Sequence, residues 1–163
     1  VIHDAHVLDE VRQLPLLDRE RYCFSKTQAA GDVLVAHAFP RSFMANVQAG
    51  INNLQNMCFS LSKAAGWHTK PASNPETFAT KIALVHSEAS EALEAFRKDK
   101  WDDHLPHRKG VEVELADLVI RIMDLSGALG LNLSGAIIEK LAYNISREDH
   151  KLEARNAEGG KKF

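Results

Sequence analysis

From Phe43 onward, apolar residues return every three or four positions, a spacing that only a helix gathers onto one face. Phe43, Val47, Ile51, Leu54, Cys58, Leu61 and Ala65 make the first such stripe, stopped by Gly66. Phe78, Ile82, Val85, Ala89, Ala92 and Phe96 make the second, after a polar loop from Thr69 to Pro75. A charged loop, Lys98–Gly110, precedes a third stripe of Leu115, Leu118, Ile122, Leu125 and Leu129, closed by Gly130. Asn132 or Ser134 is placed to cap a fourth helix carrying Ile137, Leu141 and Ile145. No segment shows the two-residue alternation of a strand. The pattern predicts an all-α chain, a four-helix bundle with helices near 44–66, 76–98, 109–130 and 133–148.

The chain has 163 residues and 18.1 kDa, enough for one core. It divides near residue 43. Residues 1–43 hold two short apolar runs, Val7–Leu17 and Val33–Ala38, broken by Pro15, Gly31 and Pro40, and form an N-terminal extension with no assignable chemistry. Residues 44–163 form the periodic domain. A formal net charge of −2 gives no field to attract a nucleic-acid polymer. No apolar run approaches the roughly 20 residues that span a bilayer, and Val1 is not followed by a signal-peptide pattern, so no membrane partner and a cytoplasmic location are expected. Cys23 and Cys58 lack a Cys-x-x-Cys pattern and read as reduced thiols. Leu84 and Leu93, Val119 and Met123, and Ile138 lie beside the main stripes. These second apolar faces predict a homodimer or homotetramer.

The chemistry concentrates in paired acids. Glu88 and Glu91 share one face of the second helix, three residues apart, and Glu114 and Asp117 do the same on the third. Asp117 sits in the apolar run Leu115–Ile120, an unlikely address for a solvated acid. If the two helices are antiparallel neighbours, four carboxylates converge, and their repulsion and desolvation are relieved by bound cations. All-oxygen ligands suit Mg²⁺ or Mn²⁺. A di-iron centre normally uses Glu-x-x-His, and no His follows Glu88, Glu91, Glu94 or Glu114 at that spacing.

Glu88-x-x-Glu91 and Glu114-x-x-Asp117, in the contexts Lys81–Glu88 and Glu114–Arg121, resemble the signature of the MazG-like all-α nucleoside triphosphate pyrophosphohydrolases. Lys140, Asn144 and Arg147 are similar to that family's third element, and the terminal Gly159–Phe163 to its tail. The resemblance covers about residues 44–163. It implies a MazG-like bundle and hydrolysis of nucleoside triphosphates to the monophosphate and pyrophosphate. Glu88, Glu91, Glu114 and Asp117 would hold Mg²⁺, and Glu91 is the preferred proton acceptor. Lys140, Asn144 and Arg147, at i, i+4 and i+7 on one helical face, would contact phosphate or sugar, with the tail residues Lys161 and Lys162 as further phosphate contacts; Lys81, on the face of Glu88, either offsets the acids or touches phosphate.

The resemblance also implies that the first helix and its following loop hold the nucleoside. Asn52 and Gln55 form a polar i, i+3 pair able to read a base edge, and Trp67 either stacks on a base or fills the core. Trp101 is a second stacking residue, and His104 and His107 read as solvated. Purine preference, such as for dGTP, and a general housecleaning role are both compatible with these residues. The competing reading is a non-catalytic helical module that binds or scaffolds a partner.

Overall fold

The computed structural model describes residues 41–147, 149 and 151–160; the extension 1–40 with Cys23, and the tail residues Lys161 and Lys162, lie outside the described residues. The described residues form five helices and no strand: α1 (Arg41–Ala64), α2 (Pro75–Arg97), α3 (Gly110–Ala128), α4 (Leu133–Ser146) and α5 (Leu152–Asn156). The four expected helices are present within two or three residues of their predicted ends. The short α5 is an addition, because Glu148–Phe163 reads as a charged tail without apolar periodicity. None of the helices among the described residues is by itself long and apolar enough to cross a membrane.

The chain forms two compact units. One is residues 51–133; the other comprises the described residues before Ile51 and from Ser134 onward. In the first unit, the helix ends follow from local chemistry. Gly66 and Gly130 take positive φ angles of 84° and 65°, which a side chain would disfavour. Trp67 N–H then reaches back to the Ser62 carbonyl, and Leu131 N–H to that of Ser126, closing both helices with the same terminal motif. Asn74 caps α2: its side-chain oxygen accepts from the backbone N–H groups of Glu76 and Thr77, both at 3.1 Å, and Pro75 occupies the first helical position.

Helices α2 and α3 are antiparallel and their register is fixed at several levels. Lys81 meets Asp124 near one end, Glu88 meets Arg121 further along, and Ala95 lies against Gly110 at the other end. A Cβ on Gly110 would stand 3.1 Å from that of Ala95, so a residue without a side chain lets the two backbones approach. Helix α1 crosses α3 closely as well: a Cβ on Gly127 would stand 2.6 Å from Phe59 Cβ.

The buried faces match the stripes in the sequence only in part: Cys58, Ala92 and Leu125 are buried, while other stripe residues are not. On α2 the buried residues are Glu88, Ala92 and Ala95, whereas Phe78 and Phe96 are exposed, Phe96 by 72%. On α3 the buried set is Gly110, Met123, Asp124, Leu125 and Ser126, and Leu115 is exposed. Leu61 on α1 and Leu141 on α4 are also exposed. The physical reason is that α2 turns toward α3 the side carrying Lys81, Glu88, Ala92 and Ala95, a face chosen by small residues and ion pairs. Of the second apolar set, Leu84, Leu93 and Val119 are exposed, but Met123 is buried. In the other unit, Ser134 in the first turn of α4 is fully buried and Ala142 is nearly so.

Candidate functional site

Helices α2 and α3 bring Glu88, Glu91 and Glu114 together. One carboxylate oxygen from each lies within 4.8 Å of the others. Glu88 is the buried member, at 5% exposure, Glu114 is half-buried and Glu91 is exposed. Spacing on both helices explains the meeting: Glu88 and Glu91 lie one turn apart on α2, and Glu114 on α3 is delivered by the antiparallel register that the Ala95–Gly110 contact sets. Asp117 stands beside this triad but is not one of the three.

The electrostatics are those of crowded acids. Burial pushes the Glu114 carboxyl above its ordinary range; repulsion from Glu91 and Glu88, and a hydrogen bond with Glu88, act in the same direction. Burial likewise raises Asp117, helped by Glu88 and opposed by Arg121, with Asp102 and Glu91 adding smaller repulsion. Arg121 Nε donates to Glu88 Oε1 at 2.5 Å. Ser87 Oγ donates to Glu91 Oε1 at 2.6 Å and so fixes the orientation of the exposed carboxylate. Hard carboxylate oxygens with excess negative charge fit a hard divalent cation. The three acids could hold a metal ion.

A second polar cluster lies on the same helix pair. Asp124 Oδ2 accepts from Lys81 Nζ at 2.8 Å, and Asp124 Oδ1 lies 2.6 Å from His68 Nε2. A carboxylate can only accept, so the His68 Nε2 carries the proton. Burial alone would raise the Asp124 carboxyl, but hydrogen bonds from Lys81 and His68 outweigh it and hold the group below its usual range. Burial, and then the charge of Asp124, push the Cys58 thiol up. Phe59 packs edge-on against the His68 ring, with centroids 5.1 Å apart.

Of the two roles expected for Lys81, offsetting an acid or touching phosphate, the structure shows it paired with an acid, the Asp124 carboxylate opposite it on α3. Sequence reasoning assigned no role to Arg121, Asp124, His68 or Ser87. A signal existed for Asp124: Lys81 is seven residues before Glu88 and Asp124 seven after Asp117, so the heptad steps that align the acids also align this ion pair.

The residues proposed for the nucleoside have diverse settings. Asn52 is exposed on α1. Gln55 is buried at 8% exposure, its Nε2 donates to the Leu131 carbonyl at 3.0 Å, and its Oε1 is buried without a hydrogen-bond partner. Trp67 is 75% exposed, which removes the core alternative: the Gly66 turn directs it away from the buried interior. Trp101 is exposed with Lys109 Nζ 4.4 Å from its ring, and His104 and His107 are exposed.

Lys140, Asn144 and Arg147 belong to the other unit. Lys140 Nζ lies 4.5 Å from the Tyr143 ring centroid. Asn144 Oδ1 is buried without a hydrogen-bond partner. Helix α4 ends at Ser146, so Arg147 lies just beyond the helical face predicted for it. It donates through Nε and Nη2 to the two carboxylate oxygens of Asp149, at 2.9 and 2.5 Å, which raises its already high pKa. Compared with known family models, with curated proteins and with solved structures, the chain matches none.

Proposed function

We propose that this chain is a divalent-cation-dependent pyrophosphohydrolase that cleaves nucleoside triphosphates between the α and β phosphorus atoms, as its resemblance to the MazG-like superfamily implies. The observation that carries this reading is the convergence of Glu88, Glu91 and Glu114 from two facing helices. Carboxylates are brought this close against their mutual repulsion where a cation gives them a use. A Mg²⁺ or Mn²⁺ ion held by these residues, with Asp117 beside them, supplies phosphate neutralisation and a more acidic water.

The protein's own part is positioning and proton transfer. Glu91 is the assigned base. It is exposed to incoming water, and Ser87 holds one of its oxygens, leaving the other to accept the proton. The water oxygen bonds to phosphorus, the bond between phosphorus and the bridging oxygen breaks, and pyrophosphate leaves. Gln55 Oε1 is a buried acceptor without a partner, so reading a base edge through it requires that oxygen to be uncovered; Asn52 one turn away is exposed, and the exposed Trp67 ring offers a stacking surface. Lys140, Asn144 and Arg147, with Lys161 and Lys162, complete the reading as phosphate contacts. For Arg147 that role requires exchanging Asp149 for phosphate.

Incubation with each common ribo- and deoxyribonucleoside triphosphate plus Mg²⁺ should yield monophosphate and pyrophosphate, and ranking the turnover gives the base preference. Orthophosphate release, or no turnover with any nucleotide, removes the proposal. Glu91→Gln should lower kcat by about 10²–10⁴-fold, the usual worth of a positioned base, while leaving the melting temperature near that of the parent.

A further inference from the structure

Glu88 is the member of the triad that cannot retreat into water. Its side chain is 6% exposed, whereas that of Arg121, its ion-pair partner, is 40% exposed. A buried carboxylate must be compensated, and removing the counter-charge that Arg121 provides is strongly unfavourable. The oxygen that Arg121 occupies, Oε1, belongs to the same carboxylate that contributes to the triad. A guanidinium and a divalent cation at one carboxylate repel each other, which sets the two in competition for it. Arg121 is the one able to move: it is long, charged at every relevant pH and already partly in solvent. Asp117 lies one turn earlier on α3 and feels the Arg121 charge, so a second carboxylate stands near the guanidinium when it leaves Glu88.

We infer that Arg121 is an exchangeable counter-ion, and that a divalent cation gains Glu88 only as the Arg121 guanidinium gives it up. This rests on the metal-dependent reading above. It makes Arg121 a determinant of which cations load. A divalent ion brings two charges to replace one, together with bonds to three carboxylates. A monovalent ion brings one charge for one and forfeits the short, charge-assisted hydrogen bond. Arg121 thus acts as a threshold that K⁺ or Na⁺ does not pass.

The test follows the arginine itself in the unaltered protein. The Arg121 Nε–H resonance, assigned with Arg121→Lys, should shift on Mg²⁺ titration from a hydrogen-bonded position toward that of free arginine, and KCl at matched ionic strength should leave it in place. A resonance that stays fixed while Mg²⁺ raises the melting temperature overturns the exchange and leaves the metal reading standing. If Mg²⁺ changes neither quantity, both fail. An equal response to KCl marks simple screening and also overturns the exchange. A binding cycle gives an independent arm, read by Mn²⁺ paramagnetic resonance. Arg121→Met should bind Mn²⁺ at least about tenfold more tightly than the parent, a factor equal to about 1.4 kcal/mol. That gain should vanish in the Glu88→Gln background. The same gain in both backgrounds would mean that Arg121 acts only through its general field, and would overturn the proposal.

Discussion

At the residue scale, the titrating groups act in opposite directions on stability. Asp124 is held below its ordinary range by Lys81 and His68, so its contribution is fully present above the unfolded-state value near 4 and is lost as pH falls through the folded value. Glu114 and Asp117 are raised. Each keeps its proton to higher pH when folded than when unfolded, so each makes the fold less stable as pH climbs from about 4 through its folded value. Asp124→Asn should therefore flatten the acid limb below about pH 4 and lower stability by about 3 kcal/mol, since Lys81 loses its partner in a largely buried place. Mg²⁺ should remove the decline above pH 4 in the parent. Urea unfolding at a series of pH values, with and without Mg²⁺, measures both limbs. The four acids were legible because their i, i+3 spacing survives in any helix. The partners of Glu88 and Asp124 were less so, because an ion pair between helices depends on register and rotation.

At the element scale, the sequence located four helices and the glycine stops of two of them, and its stripes contain the buried Cys58, Ala92 and Leu125, but they also take in exposed residues such as Leu61, Phe78, Phe96, Leu115 and Leu141. Periodicity finds the most apolar side of a helix. It does not find the side where small residues permit close approach, and here Ala92, Ala95 and Gly110 decide how α2 and α3 meet. Gly127 plays that part between α1 and α3. Gly127→Ala gains up to about 1 kcal/mol of helix propensity, yet its Cβ would meet Phe59 Cβ at 2.6 Å, a rigid contact next to the backbone. Overpacking of this kind costs about 1–3 kcal/mol, so the net effect should be destabilising by about 1–2 kcal/mol. Thermal unfolding of Gly127→Ala checks the sign, and a rise in melting temperature would contradict the close crossing.

At the scale of the whole molecule, Leu84, Leu93 and Phe96 on α2 and Leu115, Val119 and Ile120 on α3 remain exposed. These side chains lie on more than one side of the two helices, and the expected association of like chains would cover part of this apolar surface. Light scattering should give a mass that is a multiple of 18.1 kDa. The double substitution Leu93→Glu, Phe96→Glu should return it to a single chain without loss of helix content. An unaltered protein that runs as one chain at high concentration would refute association through this surface.

The segment joining α2 to α3 closes on itself before it reaches either acid pair. Gly110 N–H donates to the Lys100 carbonyl at 2.9 Å, Asp102 N–H to that of Arg108 at 3.0 Å, and Trp101 pairs with Lys109 between them. Within that buckle, Asp102 Oδ1 secures the N–H groups of His104 and Leu105. The two helices are thus clamped at the neck of the loop, and its tip is mechanically uncoupled from them. Extra residues spliced between Asp103 and His107 would lengthen the chain between Glu91 and Glu114 without separating them in space. A surface tag or a protease nick at that tip should accordingly leave the carboxylates facing one another.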